Sequence, residues 1–251
     1  MNNYSWLEQK LHKFALSSQF MREVTFDFES TNISSASENE NHIFITGLAR
    51  AGTTILLNAL YKSNIFASLS YSDMPFVVAP NLWSKISFKK KDLKLKERAH
   101  GDGIKVSTES PEAFEEVFWK TFADEDGEEL EEKFRIYITN IMYKYNKQRY
   151  LSKNNQNIRR IESISSFFSS SNILIPFREP IQHAYSLLTQ HKKFIKYSLQ
   201  MLLSLFLIIF MFVVSDNLFS GFIAFISYWS GLIESILIAF SYVYIRKLIF
   251  K

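Results

Sequence analysis

The 251-residue sequence predicts an α/β fold, a parallel sheet flanked by helices, continued by a C-terminal hydrophobic helical hairpin. Two strand–loop–helix units, near residues 43–62 and 172–191, predict the sheet. A run without formal charge from Tyr197 to Ser215, followed by a second apolar stretch, predicts the hairpin. Hydrophobic residues make up 47% and charged residues 22% of the chain, so it has the means to bury a core and is not disordered as a whole. Cysteine is absent, which excludes a disulfide scaffold, a thiolate zinc site, an iron–sulfur cluster and a cysteine nucleophile. A net charge of +4 is too mild to call for nucleic acid as a partner.

Taken in chain order, residues 1–41 form an N-terminal helix and a polar linker. The helix is the segment WLEQKLHKFALSSQFMREV, whose apolar residues recur at helical spacing. The linker is ESTNISSASENEN, residues 29–41, with almost nothing to bury. Residues 42–196 form the main domain. Within it, seven cations lie between Lys85 and Arg98, and seven acids between Asp124 and Glu132. Both runs read as solvated faces. Residues 197–251 form the hairpin. Its first span has 19 uncharged residues, about 28 Å of helix, near the thickness of a bilayer core. Its second, Asn217 to Ile245, holds a single charge, Glu234. Lys192, Lys193 and Lys196 precede the first span, and Arg246, Lys247 and Lys251 follow the second. Cations at both ends predict a membrane-associated protein, attached through residues 197–245, with its catalytic domain in the cytoplasm.

The chemistry is carried by two short motifs. Ile43 to Thr46 is a β-branched and aromatic run that reads as a buried strand. Gly47-Leu48-Ala49-Arg50-Ala51-Gly52-Thr53-Thr54 follows, and then an apolar-periodic helix. Backbone N–H groups of such a loop converge on an anion at the helix N-terminus. Gly47 and Gly52 have the spacing of the nucleotide-triphosphate loop, yet Thr53 stands where that loop has lysine, and the cation sits inside the loop at Arg50. The second motif is a strand, 172–177, followed by Arg178-Glu179-Pro180 and, eight residues after the arginine, Ser186. Pro180 suits the first turn of a helix. A guanidinium and a hydroxyl suit a phosphate dianion.

Together these motifs resemble the sulfotransferase family, whose first loop has the form [RK]-S-G-T-T and whose second motif has the form R-[DE]-P-x5-S. Arg50-Ala51-Gly52-Thr53-Thr54 is similar to the first, with alanine replacing the usual serine, and Arg178 to Ser186 is similar to the second without a gap. The resemblance covers about residues 42–194. It implies a phosphate-loop-like sulfotransferase fold and transfer of a sulfuryl group from 3′-phosphoadenylyl sulfate to a hydroxyl, with no metal. It implies that Arg50 and the backbone of 47–54 hold the 5′-phosphosulfate, and that Arg178 and Ser186 hold the 3′-phosphate. The arginine in the loop is similar to the group acting on carbohydrate or tyrosine, which implies a glycan or glycolipid acceptor. Lys153 and Asn154 fall where the family has a K-x-N segment near the nucleotide.

The reaction needs a base for the acceptor's proton. Three candidates stand in order: Asp73, at a distance from the loop comparable with the family's catalytic glutamate; His100, whose imidazole is tuned to neutral pH; and Glu112, which a helix start at Ser110-Pro111 also explains. The remaining histidines, His42 among them, read as surface or packing residues. Two other functions stay open, a phosphate-loop kinase or NTPase and an inactive membrane-inserted nucleotide-binding remnant. The second draws on the tail, which is either an anchor on a shortened enzyme or an out-of-frame translation.

Overall fold

The computed structural model describes residues 18–31, 39–87, 95–97 and 104–214, with side chains to residue 209 in the last helix. Residues 6–17 of the first expected helix, 32–38 of the linker, most of the cationic run, His100 and residues 215–251 lie outside the described residues. The chain divides into two compact units, the first ending at Arg178 and the second beginning at Glu179.

The first unit is built on a four-stranded parallel sheet in the order β2–β5–β1–β6. Its strands are β1 (Ile43–Ile45), β2 (Phe66–Ala67), β5 (Arg149–Lys153) and β6 (Asn172–Leu174). Two further strands, β3 (Lys96–Glu97) and β4 (Lys105–Val106), pair antiparallel apart from it. β1 is central and wholly buried, with Ile45 beside Lys153 on one side and Leu174 on the other. Successive side chains of a strand point to opposite faces, and the packing follows that rule. Phe44 joins one core with Tyr150, Phe118, Phe134, Tyr137 and Phe168. Ile43 and Ile45 join a second core on the other face with Leu57, Phe66 and Leu151. A parallel strand covered on both faces can be apolar throughout, as IFI is.

The helices that cover the sheet are fixed by local signals. α1 (Gln19–Ser30) starts where the Ser18 hydroxyl accepts from Met21 N at 3.3 Å. It includes the first residues of the expected linker, and Glu29 is buried, its carboxylate accepting from Leu82 N at 2.8 Å and Asn81 Nδ2 at 2.8 Å. Glu29 thereby caps α3 (Pro80–Ile86) from another element. Burial pushes its carboxyl pKa up, opposed by those hydrogen bonds. α2 (Thr53–Tyr61) follows β1, and α4 (Glu116–Thr121) follows an extended segment rather than the helix start expected at Ser110-Pro111. There Glu112 N donates to Leu69 O at 3.1 Å and Pro111 bridges Ser70, so the segment is held as added strand and cannot coil. α5 (Gly127–Tyr145) carries Phe134, Tyr137, Ile138 and Ile141 into the aromatic core. α6 (Ile161–Phe167) leads into β6.

Buried polar groups tie these layers together. Glu115 accepts from Trp119 Nε1 at 2.9 Å, Asn157 Nδ2 at 2.6 Å and Tyr150 OH at 3.1 Å, joining α4 and β5 to the turn after β5. Burial, then the Glu115 charge, raises the Tyr150 phenol well above its ordinary range, so it donates as a neutral group. His42 is a packing residue, as expected. It is buried against Phe168, ring centroids 5.0 Å apart, and its Nδ1 accepts from Tyr150 N at 3.2 Å.

The second unit begins with α7 (Pro180–Val214), a single 35-residue helix with proline at its first position, as expected. Glu179 starts it by accepting from Ile181 N at 3.0 Å and Gln182 N at 2.7 Å. The 196/197 junction lies inside α7. The expected membrane-spanning hairpin is not borne out: among the described residues no helix is long and apolar enough to cross a membrane. Lys192, Lys193 and Lys196 sit in the middle of α7, so only its last part is apolar, and the second span lies outside the described residues.

Two outcomes test this packing. Burial first, then Arg135 and Arg149, lowers the His42 pKa from 6.5 to about 4. The unfolded chain therefore binds a proton that the folded chain refuses, and His42 costs stability as pH falls from 6.5 towards 4, by about 3 kcal/mol in total. Denaturant titrations at pH 7.5, 5.5 and 4.5 should show that slope reduced in His42→Gln, which keeps an acceptor for Tyr150 N. Phe134→Ala, at a fully buried ring, should cost about 3–5 kcal/mol by the same measurement.

Candidate active site

The loop between β1 and α2 leaves the C-terminal edge of the sheet, where parallel α/β folds bind ligands. Both sides of β1 hold its root. Thr46 N donates to Leu174 O at 3.0 Å, Asn154 N donates to Ile45 O at 2.9 Å, and the Thr46 hydroxyl donates to Asn155 O at 3.3 Å. The loop then makes two turns that ordinary backbone resists. Gly47 (φ +132°) and Gly52 (φ +98°) take positive φ with no Cβ to clash. Arg50, at φ +71°, takes it with a side chain. A non-glycine residue there costs roughly 1–2 kcal/mol, and such conformations persist where the surroundings over-determine them, often at ligand clamps.

Gly52 is the N-cap of α2 and supplies no side chain to its first turn. The leading N–H groups of α2 are thus left for an anion, as the helix dipole favours. Thr53 and Thr54 are buried in that turn, Ala51 is buried behind it, and Leu48 is exposed at the loop's rim. At the neighbouring strand end, Arg178 Nη1 lies 3.5 Å from Arg50 O. The two arginines of the two motifs are therefore brought to one place by β1 and β6 lying side by side. Ser186 lies on α7 in the second unit.

The leading candidate base is placed differently from the expectation. Asp73 ends a 3-10 turn, Tyr71–Asp73, and is fully buried. Its Oδ2 accepts from Ser70 N at 2.6 Å and Tyr145 OH at 2.6 Å, and its Oδ1 is ion-paired with Lys144. Both oxygens are committed to the fold and none of the side chain is exposed, so Asp73 is closed off from an acceptor. Burial and the adjacent Asp73 charge raise the Tyr145 phenol, which stays a neutral donor. Sequence reasoning missed this cluster because Lys144 and Tyr145 come from the far end of α5; the local signal was the capping pattern Ser70-x-x-Asp73. His100 lies outside the described residues.

Glu112, the third candidate, is placed at the sheet edge. Its Oε2 accepts from Tyr71 OH at 2.8 Å, its Oε1 accepts from Ala113 N at 3.0 Å, and Lys153 Nζ is 4.0 Å from Oε1. Asn154 caps the turn after β5 by accepting from Gln156 N at 3.0 Å, and its amide donates to Glu116 at 2.8 Å. Arg160 grips the same Glu116 with both terminal nitrogens, at 2.8 and 3.2 Å. These two residues shape the edge from behind.

The profile of the sulfotransferase family matches residues 42–203, which takes in the loop, both strand-end motifs and α7 past Lys196. The chain belongs to the sulfotransferase family. It is a transferase by family, and the apolar stretch from residue 197 begins inside the family's own segment rather than after it. Comparison with curated proteins and with solved structures gives no match. At the end of β1 the structure brings together the glycine-capped N-terminus of α2 and the Arg178 side chain beside the Arg50 backbone.

Asp73→Asn should separate support from chemistry. Breaking one side of a buried ion pair costs about 3–5 kcal/mol, so the unfolding midpoint should fall sharply. Affinity for adenosine 3′,5′-bisphosphate should stay within twofold of wild type in calorimetry.

Proposed function

We propose that this sulfotransferase moves a sulfuryl group from 3′-phosphoadenylyl sulfate to a hydroxyl of a carbohydrate. The observation that carries the reading is the convergence of Arg50 and Arg178 at the C-terminal ends of β1 and β6, with Arg178 Nη1 3.5 Å from the Arg50 carbonyl. A donor with phosphate groups at both its 5′ and 3′ positions has two anionic ends to satisfy. The α2 N-terminus and Arg50 fit the 5′-phosphosulfate, and Arg178 fits the 3′-phosphate.

In the transfer, the acceptor oxygen attacks sulfur opposite the phosphate oxygen. The O–S bond forms as the S–O bond to phosphate breaks, and the electron pair leaves on adenosine 3′,5′-bisphosphate. Arg50 and the first-turn N–H groups oppose the negative charge that grows on that leaving oxygen. Strain at Arg50 suits this task, because a loop already set in its binding shape needs no reorganisation when charge develops. The carbohydrate acceptor is supported by arginine, rather than lysine, standing in the loop.

Calorimetric titration with adenosine 3′,5′-bisphosphate tests the site. Arg50→Ala and Arg178→Ala should each weaken binding at least tenfold, the value of a charge-assisted contact. Wild type should prefer this ligand to adenosine 5′-phosphate, and Arg178→Ala should lose most of that preference while Arg50→Ala keeps it. A folded wild type that binds neither ligand overturns the reading.

A further inference from the structure

With Asp73 sealed in the fold, the sheet edge has to supply the base from elsewhere. Its lateral order decides where. In a parallel sheet, all strands point the same way, so the residues just past their ends form one line. Ala67 of β2 pairs with Tyr150 of β5, and continuing that register sets Leu69 and Ser70 level with Ser152 and Lys153. Lys153 in turn pairs with Ile45, two residues before Gly47. The segment at Pro111–Glu112 is bound to Leu69 and Ser70. The edge therefore runs Glu112, Lys153, the Gly47–Thr54 loop, Arg178.

We propose that Glu112 is the base that takes the acceptor's proton, with Tyr71 and Lys153 as the residues that position it. This rests on the sulfuryl-transfer reading of the loop. Lys153, on the strand beside β1, has its Nζ 4.0 Å from Glu112 Oε1, which ties Glu112 to the strand end next to the loop. Glu112 is also oriented without being sealed. Its side chain is 14% exposed against 0% for Asp73. Of the acids that follow it, Glu115 is committed to three buried donors, and Glu116 to Arg160 and Asn154. The Tyr71 hydroxyl and the Ala113 N–H each hold one oxygen of Glu112, which fixes the carboxylate plane.

The step balances without a metal or redox partner. The acceptor O–H bond breaks and its proton passes to Glu112, the acceptor oxygen bonds to sulfur, and the bridging S–O bond breaks towards phosphate. The protonated Glu112 then releases its proton to water.

The test uses the full chain, 3′-phosphoadenylyl sulfate, and two acceptor probes, a neutral oligosaccharide and 4-nitrophenol, with release to water measured alongside. Glu112→Gln should lower kcat about 100-fold or more, while affinity for adenosine 3′,5′-bisphosphate stays within twofold and thermal unfolding is unchanged. Glu112→Asp should recover part of kcat. Tyr71→Phe should lower kcat about tenfold with KM unchanged. Glu109→Gln, three residues away, should leave turnover within threefold. Retained turnover in Glu112→Gln, or a loss that falls on Glu109→Gln instead, overturns the assignment. So does a wild type that binds the bisphosphate and transfers to no probe and not to water. Loss of bisphosphate binding in wild type itself would instead strike the donor site, which separates the two failures.

Discussion

Three residues of β1, hydrogen-bonded to a strand on each side and packed on both faces, are the constraint on which the rest of this protein depends. The glycine loop is an extension of that strand, and its root is anchored by the neighbours on both sides: Leu174 holds Thr46 from β6, and Asn154, just past β5, reaches Ile45. A loop that bends through three positive-φ residues between 47 and 52 takes that path readily at Gly47 and Gly52 but against preference at Arg50. It holds because its root cannot move. The aromatic core beneath Phe44 supplies the rigidity, with rings of Tyr150, Phe134 and Phe168 centred 5.9 to 6.1 Å from it. Packing of this density resists small displacements.

The chemistry at the edge follows from that rigidity. Sulfuryl transfer asks chiefly for position and for donors already aimed at the developing charge. Here the parallel register sets Lys153 and Leu174 level with Ile45, one on each side of the strand from which the loop springs. The polar interior serves the same end. Glu29, Asp73 and Glu115 are buried carboxylates that each hold together elements distant in sequence. Burying a carboxylate is costly unless donors meet it, and each of these has several.

Much of the site was legible in the sequence, and the reason is locality. A strand, a loop with glycines at fixed spacing and the helix that follows are contiguous, so GLARAGTT announces its own shape. The same holds for Arg178-Glu179-Pro180, where the proline marks the start of α7. Strand β5 was not legible: RYLSK alternates weakly, and its burial comes from lying between β2 and β1. The helix start expected at Ser110-Pro111 failed for a related reason. Backbone hydrogen bonds with residues 69 and 71 outweigh a local helix signal of Ser-Pro-Glu.

The sequence by itself determined the family, the parallel α/β core and the strand–loop–helix unit at Gly47–Thr54, because each is written in short runs whose physics is local. Only the tertiary structure decided which carboxylate is sealed and which stands at the edge. Asp73 and Glu112 are both acids near a turn, and their local contacts, a capping box with Ser70 for one and the Ala113 N–H for the other, do not by themselves bury either. The difference is made by partners far along the chain, Lys144 and Tyr145 for Asp73, Lys153 for Glu112. Burial and long-range pairing are properties of the folded chain, and they set what a carboxylate can do.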